Sequence, residues 1–153
     1  MSEHSAGILL YRYRHGVLQV FLVHPGGPFW VNKDAGAWSI PKGLYQDGED
    51  PLAAARREFS QETGFEIDGD FIELGELRQP SKKIVRAWAI EGDIDATRIT
   101  SNRFALEWPP HSGQQQEFPE VDKGEWFGLQ TAGRKIIKGQ APFLDRLQSK
   151  LEQ

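Results

Sequence analysis

Residues Gly43 to Phe65, GLYQDGEDPLAAARREFSQETGF, place Glu58, Gln61 and Glu62 at positions i, i+3 and i+4. On a helix that spacing sets all three head groups on one face, and it is a metal-ligand spacing. The local signals for a helix agree. Asp50 can cap, Pro51 suits the first helical position, Leu52-Ala-Ala-Ala-Arg-Arg-Glu propagates and Gly64 stops it. Leu52, Ala55 and Phe59 form an apolar stripe, and Glu58 lies about 100° around the helix from Phe59, so the acidic face flanks the buried one. Gly43 and Gly48 bracket the loop before the helix and let its backbone approach a ligand closely. The same pattern also arises as an amphipathic helix with a solvated charged face and no chemistry, because charged i, i+4 faces are common.

The spacing of the whole stretch resembles the signature of the Nudix hydrolase family, G-x5-E-x7-R-E-U-x-E-E-x-G-U, with U a bulky apolar residue. Gly43, Glu49, Arg57, Glu58, Phe59, Glu62, Gly64 and Phe65 fall on it in register. One position departs: the first glutamate of the E-E pair is Gln61, which removes a negative charge from the ligand set. The resemblance implies an α/β/α sandwich with a mixed central sheet. It also implies Glu58, Gln61, Glu62 and the Gly43 carbonyl as metal ligands, Arg57 as the residue that orients a box glutamate, and Glu49 as support for the loop. A further glutamate from a late loop often completes such sites as ligand or base. Glu120 is the first choice and Glu117 the second, and either could simply be solvated.

Length and charge are compatible with this reading. The 153 residues suffice for one domain spanning 1–153 with its own core. A net charge of -4 gives no reason to expect binding to nucleic-acid backbone or anionic lipid, and suits a site for divalent cations. The chain has no cysteine, which excludes disulfides and thiol chemistry and is compatible with a reducing cytoplasm. No apolar run approaches membrane-spanning length, and Met1-Ser-Glu-His-Ser lacks the features of a signal peptide.

Along the chain, Ala6 to Arg14 and Val17 to His24 read as a hairpin around His15-Gly16. Phe29 to Ala37 reads as a surface loop, and Trp38-Ser-Ile as a short strand leading into Pro41-Lys42-Gly43. Beyond the helix, Phe71 to Arg78 and Ile84 to Glu91 read as strands around a Pro80-Ser-Lys-Lys turn. Val85, Ala87 and Ala89 alternate there with Ile84, Arg86, Trp88 and Ile90, so one of the two faces is expected to be core. Gly92 to Asp122 reads as a long aperiodic loop, of the kind that is functional or mobile. Glu125-Trp-Phe is expected as a last short strand, with Leu129 to Lys138 and Pro142 to Leu151 helical. Strands interrupted by one mid-chain helix and followed by helices point to helix-sheet-helix layering, an α/β (α+β) class.

Clustered hard oxygen ligands select Mg²⁺ or Mn²⁺, which bridge phosphate oxygens and neutralise charge at phosphorus. The expected chemistry is hydrolysis of a phosphoanhydride in a nucleoside or dinucleoside polyphosphate, with a small-molecule nucleotide as the partner. Lys42 could pair with a phosphate, as could Arg86, and Tyr45, Phe29 and Trp30 could stack on a base; an exposed lysine, a solvated turn and packing aromatics are the alternatives. His24 reads as structural. Trp38-x-x-Pro41-Lys42-Gly43 looks like the approach to the box in hydrolases of diadenosine and diphosphoinositol polyphosphates. Pro80, 15 residues after the box, matches instead a marker associated with ADP-ribose hydrolases, which leaves ADP-ribose or another nucleoside diphosphate linked to a second group as the alternative substrate. A nucleotide-binding sensor without turnover is a further alternative, motivated by Gln61.

Overall fold

A computed structural model describes residues 3–153. β1 (His4–Arg14) and β2 (Val17–Pro25) form the expected hairpin, with Arg14 paired to Val17. His15 and Gly16 both take positive φ, 54° and 77°, which matches the twist of a two-residue turn to that of its strands.

The eleven residues of β1 carry three neighbours. Along one edge β5 (Ile84–Glu91) runs parallel to it, with Ala6 opposite Arg86. Along the other, β3 (Lys42–Leu44) pairs with its first residues, Gly43 opposite Ala6, and β2 with its last. Adding β4 (Ile72–Arg78) beside β5 and β8 (Val121–Gly128) beside β2 gives, among the described residues, a six-stranded mixed sheet in the order β4-β5-β1-β2-β8.

Both faces of this sheet are covered. α1 (Pro51–Thr63) lays Ala54, Ala55 and Phe59 on Ile8, Leu10, Phe21, Val23, Trp88 and Ile90. On the opposite face, α2 (Leu129–Lys135) and α3 (Pro142–Leu151) bring Ala132, Phe143, Leu144 and Leu147 onto Leu9, Leu22, Val85, Ala87 and Ala89. The result is the expected α/β/α sandwich. β5 therefore differs from the expectation of a single core face. Val85, Ala87 and Ala89 meet α2 and α3, while Trp88 and Ile90 meet α1, because a strand between two helical layers is buried on both sides.

Three further expectations are corrected. Trp38 and Ser39 make only single bridges, to Ile136 and Val23, and the strand forms instead at Lys42–Leu44, where the backbone reaches β1. The last helix-to-helix connection starts earlier than expected: α2 ends at Lys135, Ile136 leaves it to bridge Trp38, and a 3-10 turn spans Lys138–Gln140. The stretch from 92 to 122 is not an aperiodic loop. It holds a 3-10 turn at Ala96–Arg98 and a second, two-stranded sheet of β6 (Arg103–Glu107) and β7 (Gln115–Pro119), with Phe104 opposite Phe118.

α1 is held to the sheet chiefly by Phe59, 1 % exposed and tilted against Phe21 at 6.4 Å between ring centroids. Phe59→Ala is expected to lower stability by about 3–5 kcal/mol, the range for emptying a buried aromatic site, as read from the urea midpoint at unchanged slope.

Candidate active site

α1 begins and ends as its sequence dictates. The Asp50 carboxylate accepts from the Ala53 N–H at 2.9 Å, and Gly64, at φ 81°, donates its N–H to the Ser60 carbonyl at 2.8 Å. The helix thereby projects Glu58 and Glu62 toward β3. A Cβ at position 43 would land on the Glu58 carboxylate, so glycine is needed there for close approach and not for an unusual φ.

Arg57 fixes this carboxylate. One guanidinium nitrogen is paired with Glu49, and the other donates to Glu58 Oε1 at 3.3 Å and to the Leu44 carbonyl at 3.4 Å. Glu49 in turn accepts from the Gln46 N–H at 3.4 Å. Loop, helix and carboxylate are thus tied through one side chain. Burial raises the Glu58 pKa, with Arg57 pulling it back down.

Glu62 lies deeper, 8 % exposed, and accepts from the Lys42 N–H at 3.3 Å. Burial, reinforced by the charge of Glu120, pushes its pKa from 4.5 up to about 8. Burial also lowers the pKa of the Lys42 ammonium, against the pull of Glu62 and Glu58. Lys42, Glu62 and Glu120 line one cavity of about 200 Å³, whose other walls include Val23, Ile40 and Trp30. Glu120 stands there because its backbone is held at both ends: its N–H donates to the Asn102 carbonyl at 2.9 Å and its carbonyl accepts from Gly26 at 2.8 Å. Glu117 is exposed on β7.

The remaining candidates lie elsewhere. Gln61 is exposed and lines an outer groove with Arg56, Arg57, Ser60 and Asp68, while its carbonyl accepts from the Asn102 N–H at 2.8 Å. Tyr45 packs edge-on to His4 at 6.0 Å, away from the cavity. Arg86 pairs with Glu73 at 2.6 Å and covers the Trp88 ring. His24 is structural as expected: it is buried, 2.9 Å from Asp122 and 2.6 Å from the Lys33 carbonyl. Two contributors carry no sequence signal. Asn102 links the end of α1 to Glu120, and buried Gln140 accepts the Ile40 N–H at 3.0 Å on the approach to Lys42.

The donor set fits a hard divalent cation. Glu58, Glu62 and Glu120 offer carboxylate oxygens whose mutual repulsion a cation would relieve, and Gly43, whose carbonyl is a further oxygen donor, lies on β3 against the Glu58 carboxylate. Among the described residues no group of three or more His, Asp or Glu side chains stands close enough together to hold a metal ion, so the fit is one of donor chemistry and not of a preassembled cage.

The model of the NUDIX domain matches residues 1–147. The chain belongs to this family. Nudix hydrolase 7 of Arabidopsis thaliana is 39% identical over 54 residues, 35% of this chain and 18% of that protein. Nudix hydrolase 25 of the same organism is 59% identical over 29 residues, 19% of this chain and 17% of that protein. The chain thus spans less than a fifth of either curated relative. Two solved structures share the fold over nearly all of it. A Caenorhabditis elegans Ap4A hydrolase in a binary complex superposes with a TM-score of 0.65 at 20% identity, covering 98% of both chains. The NUDIX domain of Shewanella oneidensis NrtR complexed with ADP ribose gives 0.67 at 14%, covering 99% of this chain and 89% of that one.

In the cation-free protein, folding holds a proton on Glu62 that the unfolded chain releases near pH 4.5, so the unfolded state binds fewer protons up to about pH 8. Stability is therefore expected to fall as pH rises through that window. Thermal melts in chelator from pH 5 to 8 read this slope, and Glu62→Gln should flatten it.

Proposed function

We propose that this chain is a Mg²⁺- or Mn²⁺-dependent pyrophosphohydrolase acting on a nucleoside or dinucleoside polyphosphate. The observation that carries the reading is the juxtaposition of Arg57-clamped Glu58, buried Glu62, Lys42 and Glu120 around one end of the helix and one cavity. In this reading Glu58, Glu62 and Glu120, with the Gly43 carbonyl, hold the cation, and the exposed Gln61 amide reaches it from the solvent side of the helix. When bound, the cation neutralises phosphate oxygens and lowers the pKa of water.

The chain's own groups divide the remaining work. Lys42 presents a point charge to a phosphate oxygen at the cavity wall. Arg57 keeps Glu58 oriented. Glu120, at the root of the hairpin, takes the proton as water adds to phosphorus and the bridging P–O bond breaks, releasing the second phosphate as leaving group. The assignment of Tyr45 and Arg86 to substrate binding then requires a substrate long enough to extend past β3. A polyphosphate chain meets that requirement.

A second reading, ADP-ribose or another linked nucleoside diphosphate as substrate, is supported by the fold shared with the ADP-ribose complex and by Pro80. A sensor without turnover draws on Gln61, which lies exposed outside the cavity.

The deciding assay is Mg²⁺-dependent hydrolysis of diadenosine polyphosphates, nucleoside triphosphates and ADP-ribose, with products identified by mass. Cleavage is expected for the polyphosphates. Tight binding of one class without cleavage of any would sustain the sensor. Glu120→Gln should lower kcat by at least about tenfold, a general base typically contributing about 10²–10⁴-fold; a wild-type rate would remove Glu120 from catalysis. Gln61→Glu should tighten Mg²⁺ binding by restoring a charge, and an unchanged titration would place residue 61 outside the ligand set.

A further inference from the structure

Of the carboxylates Glu58, Glu62 and Glu120, only Glu120 comes from outside α1, and both peptide units around its Cα are pinned. The Glu120 N–H donates to the Asn102 carbonyl at 2.9 Å, the Glu120 carbonyl accepts from the Gly26 N–H at 2.8 Å, and the next N–H, of Val121, donates to the Ser101 hydroxyl at 3.0 Å. A residue has only φ and ψ as soft dihedrals, so fixing the peptide groups on either side also fixes the direction in which its side chain leaves the backbone.

Two of these three bonds lead to one short segment, residues 100–102, and the same segment is hooked to α1. The Thr100 N–H donates to the Thr63 carbonyl and the Asn102 N–H to the Gln61 carbonyl, both at 2.8 Å, on either side of Glu62. These are carbonyls of the last helical turn, which the helix cannot satisfy by itself. A Cβ on Gly64 would stand 3.2 Å from Thr100, so the segment lies tight against the end of α1, and Ile99 packs on the apolar cluster beneath the helix. Ser101 sits between the two hooks. Its hydroxyl accepts the Val121 N–H and donates to the Asn102 carbonyl at 2.8 Å, which closes a ring of hydrogen bonds through Glu120. Among these links the Ser101 hydroxyl alone belongs to a side chain, so it can be removed without altering the backbone.

We infer that Ser101 is a positioning residue that sets the placement of Glu120 relative to Glu62, and that through this placement it favours Mg²⁺ over Ca²⁺. The inference rests on the proposed function, in which the two carboxylates share a cation, and names the part that holds them in register. Mg²⁺ demands near-ideal octahedral geometry at about 2.0–2.1 Å, whereas Ca²⁺ accepts flexible arrangements of oxygens at about 2.3–2.6 Å. Without the Ser101 hydroxyl the Val121 N–H loses its acceptor, and the peptide after Glu120 is held from the Gly26 side alone. A carboxylate that swings through a wider arc still serves Ca²⁺ and serves Mg²⁺ badly.

Calorimetric titration of the chelator-stripped full chain, without nucleotide, reads this effect. Ser101→Ala should weaken Mg²⁺ binding by about 10–100-fold, the range for removing a group that orients a metal ligand. Ca²⁺ binding should weaken by less than about threefold, as a cation tolerant of geometry requires. Ser101→Thr keeps the hydroxyl and should restore the Mg²⁺ affinity. In a Glu120→Ala background Ser101→Ala should cost nothing further, because it acts through that carboxylate. Ser101 is partly exposed, so the variants are expected to stay folded, which thermal melts check. Unchanged Mg²⁺ affinity in Ser101→Ala, equal weakening of both cations, or a full effect in the Glu120→Ala background overturns the inference and leaves the hydrolase reading standing. A wild-type chain without affinity for Mg²⁺ overturns both. A Mg²⁺-selective loss rescued by threonine, in a chain that cleaves no phosphoanhydride, supports the inference and removes the hydrolase reading instead.

Discussion

The Glu58 carboxylate occupies the space that a side chain at position 43 would need, and this contact sets how closely α1 approaches β3. Much else is placed by it. β3 is short and only partly buried, yet it pairs with the first residues of β1, so the carboxylate is referenced to the middle of the sheet and not to a free loop. On the other side Phe59, the next residue of the helix, points into the core. Adjacent positions of one helical turn thus do opposite things: one anchors by apolar burial, the other presents charge at the edge of that burial. Arg57 completes the arrangement by linking the helix to the loop before it through Glu49.

Burying Glu62 without a full counter-charge costs stability, and the raised pKa expresses that cost in proton terms. A fold tolerates such a group where something else is to be bound there. The same tension is visible in Lys42, whose charge is disfavoured by burial but sustained by the carboxylates around it. Two groups that each weaken the resting protein make a site that, in the proposed function, would gain from a divalent cation and a phosphate chain together.

Elements with strong local signals could be read from the sequence: the β1–β2 hairpin with its His15-Gly16 turn, α1 with both caps, and the layering that follows from one helix between strands and helices at the end. Glu58 and Glu62 were equally visible through their helical spacing, and Arg57 only through the resemblance to the Nudix signature. What escaped depended on contacts distant in sequence. Trp108-Pro-Pro looks like a loop, and only the alternation of Phe104 and Leu106 marks the strand before it, so β6 and β7 were read as irregular chain. Trp38 and Ser39 have the composition of a strand but find partners for single bridges only. Tyr45 and Arg86 are close to the box along the chain or across the sheet, yet a neighbour in each case, His4 and Glu73, takes up the side chain.

The second hairpin divides into a fixed root and a free tip. At the root, the backbones of Asn102 and Gly26 hold Glu120, and the Ser101 hydroxyl accepts the Val121 N–H. At the tip, residues 109–114 are exposed, and Gly113 has open space around it. Insertions, deletions or substitutions at the tip would therefore leave the carboxylate where it is, while altering the surface next to Trp108, which stands against Phe29 beside cavity-lining Trp30. Such an element can be varied by descent without disturbing the chemistry at its base, and related proteins with the same core could diverge in ligand here first.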